Sequence, residues 1–266
     1  MLAARGGPLG GAAFPPRSLG APSSRLIARQ ENSAAARREP GPAPPPGRPV
    51  RAVIFDFDGL LMATESTMLA SWQYEWQQHG LELDTATFWA DHGGDVSQQR
   101  YRLLAEAVGP SYDQVRSHAR RLAYRDRLHA DLDLAPGLAG WLDQAAAAGL
   151  ALAVASSSPV WWVRDHLTRV GRAGDFGFLC GGNEVAEHKP APDVYLLALA
   201  RLGLPAGQAV AVEDTPHGVT AAQAAGLRCI AIPNPHTDPA RFGHADLVLA
   251  SAGELSLAEA IRLAQA

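Results

Sequence analysis

From residue 51 onward, short apolar runs alternate with longer amphipathic segments, and this alternation constrains the fold of the chain. The apolar runs are nearly continuous, as in strands that are buried on both faces. Such strands, separated by helices, are typical of an α/β fold with a parallel sheet covered on both sides. The predicted strands are 52–56, 151–155, 177–180, 209–213, 228–232 and 246–249, and the predicted helices between them are 138–148, 160–170, 192–202, 217–225 and 254–265.

One interval, residues 66–133, departs from this alternation and reads as several amphipathic helices without a strand. Trp72 and Trp76 lie four residues apart, which places them on one helix face and predicts that they form part of a helical core. We therefore predict a helical cap domain at 66–133, inserted into an α/β core domain made of 51–65 and 134–266. An insertion after the first strand lies over the carboxyl ends of the strands, where open α/β sheets bind ligands.

Residues 1–50 consist mainly of Ala, Pro, Gly and Arg and contain ten of the 20 prolines, which predicts a disordered tail. The formal net charge of the chain is −4. A weakly acidic chain gives no electrostatic reason to expect nucleic acid or an anionic membrane as a partner. The sequence does not define the oligomeric state, and a monomer is plausible.

The two cysteines, Cys180 and Cys229, each lie in a short apolar stretch. Small buried hydrophobic residues are the simpler interpretation, and a disulfide or a metal site is the less favoured one. This pattern fits a reducing compartment, and we expect a cytoplasmic protein. The longest apolar run, 145–155, is shorter than the roughly 20 residues that a membrane span requires.

Two aspartates follow the first predicted strand, Asp56 directly at its end and Asp58 two residues along. Side chains at positions i and i+2 of a strand point the same way, and Gly59 permits a tight turn beside them. Two carboxylates this close repel each other unless a cation lies between them or one keeps its proton. When the motif is considered alone, a simple Asp-Gly turn that reverses the chain is the favoured explanation.

Other strand ends carry matching polar groups. The second strand runs into Ser156, Ser157 and Ser158 before a helix, a position suited to phosphate, although serines there are commonly helix caps. The fourth strand ends in Glu213 and Asp214, which brings two more acids to the same edge. Oxygen ligands without a His or Cys cluster favour Mg²⁺ over zinc.

Lys189, in the stretch HKPAPD, is the only lysine in the chain, whereas 22 arginines supply the other basic side chains. A compact ammonium serves as a point charge for phosphate or carboxylate in places where a planar guanidinium does not fit. The retained lysine therefore predicts an anion contact, with a chance surface lysine as the alternative.

Taken in order, DFDGLL, VASSS, HKPAPD and VEDTPHG resemble the four motifs of the haloacid dehalogenase superfamily of phosphotransferases, over roughly residues 50–250. The helical insertion resembles the small cap of the branch that includes β-phosphoglucomutase and many sugar-phosphate phosphatases. The resemblance implies a Rossmann-like parallel-sheet core and a phosphoric monoester hydrolase.

The resemblance also implies roles for individual residues. Asp56 becomes the nucleophile that forms an aspartyl-phosphate, and Asp58 becomes the general acid and base. Ser156, Ser157 and Lys189 become the groups that bind the phosphoryl oxygens. The dehalogenases themselves lack the second aspartate, so the presence of Asp58 favours phosphoryl transfer over cleavage of a carbon–halogen bond.

The metal implied by the resemblance is Mg²⁺. Its ligands would be Asp56, the backbone carbonyl of Asp58, and Asp214, with Glu213 bound directly or through water. The substrate would be a small phosphomonoester, such as a sugar phosphate or a nucleotide-related metabolite. Candidate substrate contacts in the cap are His92 and Gly94 in the loop ADHGGD, together with Arg100.

Two departures from the family pattern qualify these expectations. Ala63 stands where many relatives have Asp, and Thr64 after it is a candidate cap of the next helix. Met68 stands where the mutases carry a His, which favours a phosphatase over the alternative of a phosphosugar mutase. A non-catalytic binding or regulatory protein is the remaining alternative. The presence of every chemical group needed for catalysis argues against it.

Overall fold

The computed structural model describes residues 49–90 and 97–266, so the predicted tail, apart from its last two residues, and the loop with His92 and Gly94 lie outside the described residues. The strands are β1 (Ala52–Phe55), β2 (Ala151–Ala155), β3 (Phe178–Cys180), β4 (Ala209–Glu213), β5 (Arg228–Ala231) and β6 (Leu247–Val248). The helices are α1 (Thr64–Gln77), α2 (Thr85–Ala90), α3 (Ser97–Val108), α4 (Gln114–Ala130), α5 (Leu138–Ala147), α6 (Val160–Arg169), α7 (Asp193–Leu202), α8 (Pro216–Ala224) and α9 (Leu257–Ala264). The predicted α/β fold is confirmed.

All six strands form one parallel sheet in the order β3-β2-β1-β4-β5-β6. Successive residues of each strand face opposite sides of the sheet, so both sides need a hydrophobic cover. Val53 and Phe55 face the side covered by α5, α6 and α9, and Ala52 and Ile54 face α7 and α8. Each fully buried Val, Ile or Phe stabilises the fold by roughly 1.5–3 kcal/mol, which explains the apolar strand runs.

The central strand β1 pairs with β2 on one side and with β4 on the other. Phe55, the last residue of β1, is in register with Val154 and Val212, so the three strands end at nearly the same level. The connection after β1 leads to β2 and the connection after β4 leads to β5, in opposite directions along the sheet, which opens a crevice at the carboxyl ends of β1 and β4. Residues that follow these strands therefore meet in one place.

Helices α1–α4 lie between β1 and β2 in the chain and have a small core of their own. Its buried members are Trp72, Phe88, Tyr101 and Leu104. The rings of Trp72 and Tyr101 lie 4.7 Å apart, and the partly buried Trp76 packs against the same cluster. The prediction that Trp72 and Trp76 belong to a helical core is confirmed. α1 begins at Thr64, two residues before the predicted start of the inserted segment.

Cys180 and Cys229 are both buried and not in a disulfide, as the apolar sequence around them predicted. Burial raises the pKa of both thiols above their ordinary value. Within residues 49–90 and 97–266, none of the helices combines the length and the apolar character that a membrane span needs.

Candidate active site

The turn after β1 brings Asp56 and Asp58 to the crevice. Asp56 is buried, and its backbone N–H donates to the carbonyl of Val212 on β4 at 2.9 Å. Gly59 has a φ of +89°, and a Cβ at this position would lie 2.1 Å from Oδ2 of Asp214. Glycine is therefore required here, because the chain turns directly against the acid at the end of β4. The motif therefore forms a tight turn, and the same turn places the two aspartates beside Asp214.

Three donors surround the carboxylate of Asp58. Thr64 Oγ1 donates to Oδ1 at 2.9 Å, Trp162 Nε1 donates to the same oxygen at 3.0 Å, and Ser156 Oγ donates to Oδ2 at 3.2 Å. The prediction that Thr64 caps the following helix is wrong. Ala63 occupies the N-cap position of α1 and makes no side-chain cap bond, and Thr64 uses its hydroxyl on Asp58 instead.

Lys189 is the buried cation of the site, with its side chain 7% exposed. Its ammonium is paired with Asp56 and donates to Glu213 Oε1 at 2.6 Å and to the carbonyl of Ala155 at 2.8 Å. Burial opposes the charged form, but the carboxylates of Asp56 and Glu213 outweigh it and raise the pKa of Lys189 above its ordinary value. The alternative of a chance surface lysine is thereby excluded.

Glu213, the last residue of β4, is fully buried and saturated with donors. Its Oε1 accepts from Lys189 and from the hydroxyl of Tyr195 at 2.7 Å, and its Oε2 accepts from the backbone N–H groups of Asp214 at 3.0 Å and Thr215 at 3.3 Å. A carboxylate held in this way is an anchor for the lysine. Sequence reasoning missed Tyr195, because its role depends on how α7 packs against the sheet.

Among the described residues, Asp214, unlike Glu213, does not have hydrogen-bond donors on both of its carboxylate oxygens. Its Oδ2 accepts from Asn234 Nδ2 at 2.7 Å, whereas its buried Oδ1 has no hydrogen-bond partner in the described part of the chain. Oxygen atoms of Asp56, Glu213 and Asp214 lie within 4.8 Å of one another. Burial raises the pKa of Asp56 and of Asp214, and the neighbouring carboxylates raise both further. A hard divalent cation fits this donor set and would satisfy the orphaned oxygen.

Gly218 leaves the space into which the Glu213 carboxylate fits. A Cβ at Gly218 would lie 1.9 Å from the carboxyl carbon of Glu213. We expect Gly218→Ala to displace that carboxylate and to destabilise the protein by about 1–3 kcal/mol, which urea unfolding measures. The matched control is Gly207→Ala, since nothing lies within 4 Å of a Cβ there, and an equal loss of stability in both variants would contradict the steric explanation.

The two predicted phosphate-binding serines differ in their surroundings. Ser156 is buried, and its hydroxyl accepts from the backbone N–H of Ser158 at 2.9 Å while it donates to Asp58. Ser157 is exposed at the wall of the adjoining cavity. The structure thus brings Asp56, Asp58, Ser156, Lys189, Glu213 and Asp214 together, with Ser157 at the rim.

A cavity of about 710 Å³ lies over these residues, between the carboxyl ends of the strands and the helices of the α1–α4 segment. Arg100, one of the predicted substrate contacts, lines this cavity and lies with its guanidinium 3.8 Å above the ring of Phe88. Arg125 and Arg241 also line the cavity, together with the imidazoles of His129, His188, His217 and His236. The floor is acidic and three arginines lie in the wall beside Glu65 and Asp238, so the cavity offers positive charge to an anionic ligand beside a cation.

His129, at the end of α4, is buried in the wall of the cavity. Burial, followed by the neighbouring His166 and Arg125, lowers the pKa of His129 from its ordinary 6.5 to about 4. Between these two values the unfolded chain binds a proton that the folded chain does not. Stability conferred by the neutral form is therefore present above pH 6.5 and is lost as the pH falls towards 4.

We expect this residue to contribute about 2 kcal/mol to the acid destabilisation of the wild type. Urea unfolding at several pH values between 7 and 4.5 should show a smaller loss of stability in His129→Gln than in the wild type. Parallel pH dependences in the two proteins would contradict the prediction.

Comparison with known proteins places this site in a family. The model of the haloacid dehalogenase-like hydrolases matches residues 53–232. CbbY of Rhodobacter capsulatus is 35% identical over 74% of this chain and 91% of its own length. Hexitol phosphatase B of Escherichia coli (strain K12) is 31% identical over 79% of this chain and 96% of its own length.

Among solved structures, CbbY from Rhodobacter sphaeroides in complex with phosphate superposes with a TM-score of 0.63 at 30% identity, over 79% of this chain and 98% of that chain. A mutant of the same protein in complex with xylulose-(1,5)bisphosphate gives the same values. The chain belongs to the haloacid dehalogenase-like hydrolase family and, within it, to the phosphoric monoester hydrolases.

Proposed function

We propose that the protein is a Mg²⁺-dependent phosphatase that hydrolyses small phosphomonoesters through an aspartyl-phosphate on Asp56. One observation carries the proposal: Asp56, Asp58, Ser156 and Lys189 converge beneath a single cavity whose other side is lined by basic groups. A non-catalytic binding protein would have no reason to retain the paired aspartates, the buried lysine and the acid at the end of β4 together.

The chemistry follows from the positions of the two aspartates. A carboxylate oxygen of Asp56 attacks the phosphorus atom, the ester P–O bond breaks, and Asp58 gives a proton to the departing alcohol oxygen. Asp58 then takes a proton from a water molecule, which attacks the aspartyl-phosphate and releases inorganic phosphate. Asp56 is regenerated as a carboxylate, so every proton and every bond is accounted for.

Lys189 and Ser156 are placed to hold the phosphoryl oxygens, with Ser157 at the rim of the cavity. The ammonium of Lys189 lies beside Asp56, where negative charge builds up during transfer. Its second partner, Glu213, fixes the position of that ammonium. Both serines follow β2 directly, so the sheet sets their distance from the nucleophile.

Asp56, Asp214 and the backbone carbonyl of Asp58 are the residues that would hold Mg²⁺. The orphaned Oδ1 of Asp214 and the proximity of the carboxylates support this assignment. Glu213 is the weaker candidate for a direct ligand, because both of its oxygens already accept hydrogen bonds from the protein. When bound, Mg²⁺ would neutralise the carboxylates and stabilise negative charge on the phosphoryl group.

The α1–α4 segment acts in this proposal as the cap that selects the substrate. It contributes Met68, Arg100, Arg125 and His129 to the cavity wall, and the predicted contacts His92 and Gly94 belong to the same segment. A relative is named as a hexitol phosphatase, and another was crystallised with a sugar bisphosphate. Together with the arginines in the wall, these names favour a sugar phosphate, including one with a second phosphate, over a neutral ester.

A screen of phosphomonoesters tests the proposal. Purified protein with Mg²⁺ is assayed for phosphate release from sugar monophosphates, sugar bisphosphates and nucleotides, with Asp56→Asn as the inactive reference. Release from sugar phosphates by the wild type alone supports a phosphatase. Conversion of a hexose 1-phosphate to its 6-phosphate faster than phosphate release would instead support a mutase, for which Met68 offers no proton-transfer group.

A further inference from the structure

Trp162 lies in the first turn of α6, in the wall of the cavity. It is partly buried, whereas its neighbour Trp161 is 67% exposed. The indole has one polar atom, Nε1, which donates to Oδ1 of Asp58 at 3.0 Å. An aromatic side chain that only covered the core would not need to direct this atom at the proposed acid and base.

The orientation of Asp58 depends on such donors. The terminal torsion of an aspartate is broad, so a carboxylate without fixed partners samples many orientations. Proton transfer requires the carboxylate oxygen within about 2.6–3.2 Å of the reacting group. Thr64 and Trp162 converge on Oδ1 from different parts of the chain, and Ser156 donates to Oδ2. Two donors on one oxygen and one on the other define the plane of the carboxylate.

The indole is itself held from several sides. The ring of His166, one turn later in α6, lies 4.1 Å from the ring of Trp162, and the ring of His129 lies 5.3 Å from it. The guanidinium of Arg125 lies 5.0 Å from the centre of the indole. Arg125 and His129 belong to α4, so the indole is packed between the core and the inserted helices.

A chain of hydrogen bonds fixes the backbone of Trp162 as well. His166 Nδ1 lies 2.9 Å from the carbonyl of Trp162, so this nitrogen carries the proton. His166 Nε2 lies within hydrogen-bond distance of His129 Nδ1, at 3.1 Å, and His129 Nε2 lies 2.7 Å from Thr67 Oγ1, whose hydroxyl donates to the carbonyl of Thr64. Three consecutive bonds thus connect α1 to the residue that holds Asp58.

We propose that Trp162 is a positioning residue for Asp58: its indole N–H, held by His129, His166 and Arg125, orients the carboxyl group of Asp58, which gives its proton to the leaving group. The role rests on the proposed phosphatase function. It goes beyond the four motifs, because Trp162 lies outside all of them.

Trp162→Phe tests the role, because it keeps an aromatic ring against His166 and Arg125 but removes the donor. With a sugar phosphate, whose alcohol is a poor leaving group, we expect kcat to fall about tenfold or more. We expect KM to stay within about twofold, since the phosphate and cap contacts are unchanged. The matched control, Trp161→Phe, changes the exposed neighbour and should keep the wild-type kcat.

A comparison of two substrates with different leaving groups distinguishes a positioning role of Trp162 from a general structural defect. Nitrophenolate departs without a proton, so release of 4-nitrophenol from 4-nitrophenyl phosphate in a single turnover should fall less than about threefold in Trp162→Phe. An equal loss on both substrates, or an unchanged kcat on the sugar phosphate, would overturn the role of Trp162. Equal turnover by the wild type and Asp56→Asn would instead overturn the phosphatase function and the role that depends on it.

A measurement without turnover checks the contact itself. In ¹H–¹⁵N spectra, the indole N–H signal missing from Trp162→Phe identifies Trp162. That signal should shift and exchange faster with solvent in Asp58→Ala, whereas the indole signal of Trp161 should stay in place. An unchanged Trp162 signal in Asp58→Ala would show that the hydrogen bond is not formed in solution and would overturn the proposal even if Trp162→Phe were poorly folded.

Discussion

Asp56→Asn should reduce phosphate release by about 10⁴-fold or more, because an amide cannot attack phosphorus to form the covalent intermediate. The loss should not come from unfolding. Asp56 shares the ammonium of Lys189 with Glu213, the carboxylate of Asp214 lies close by, and burial raises the pKa of Asp56. Removing one of these charges relieves repulsion, so the free energy of unfolding should stay equal or rise.

Two measurements on Asp56→Asn separate chemistry from stability. Turnover of a sugar phosphate gives the loss of activity, and thermal unfolding with and without Mg²⁺ gives the stability and its dependence on the metal. The wild type should gain more stability from Mg²⁺ than the variant, since Asp56 is a proposed ligand. Asp143→Asn is a suitable control, because that side chain is 69% exposed and pairs with Arg172 at the surface. A variant that retained turnover would exclude Asp56 as the nucleophile.

Lys189→Met should lose both stability and activity. The change leaves the carboxylates of Asp56 and Glu213 buried without a cation, and breaking a buried ion pair in this way costs about 3–5 kcal/mol. Turnover should fall at least about 10³-fold, because the charge that stabilises the phosphoryl group is gone. Urea unfolding and phosphate release, measured on the same preparation, give the two quantities.

Lys189→Arg is the informative companion, since arginine supplies every other fixed cationic side chain of this chain. The guanidinium restores the charge and should recover part of the stability. It should not recover turnover, because a planar fork cannot donate to Asp56, Glu213 and the carbonyl of Ala155 from the position of one compact ammonium. Full activity of Lys189→Arg would contradict the geometric reason for a single retained lysine.

The strands and helices of the core could be predicted because their signals are local. Continuous apolar runs such as AVIF and ALAVA report burial on both faces of a sheet, whatever the neighbouring strand is. The strand order β3-β2-β1-β4-β5-β6 could not be predicted in the same way, because the alternation of strands and helices is compatible with several orders. The order is settled by how the helices pack on each face, which no single segment encodes.

The site was predictable as far as it consists of residues that directly follow strands. Asp56, Ser156 and Asp214 stand immediately after apolar runs, so the topology alone brings them together. Asn234, which orients Asp214, also follows a strand, three residues after the end of β5. Applying the same rule to the fifth strand would have found it.

Other members of the site had no such signal. Thr64 lies at the start of a helix, where a hydroxyl usually serves as a cap, and only the tertiary structure reveals that it donates a hydrogen bond to Asp58. Trp162 belongs to an amphipathic helix, where an aromatic residue is ordinarily a packing residue. The direction of its N–H depends on the distance between α6 and the turn after β1, which the sequence does not specify.

The buried position of Lys189 makes this enzyme a natural subject for amine-reactive probes. No other lysine competes for such a reagent within the 266 residues, and the ammonium is shielded in the folded state. Acylation of Lys189, followed by peptide mass spectrometry, would therefore proceed only through molecules in which the site is transiently open. The acylation rate would therefore report how often the site opens. A bound phosphate that lowered this rate would reveal occupancy of the site without any measurement of catalysis.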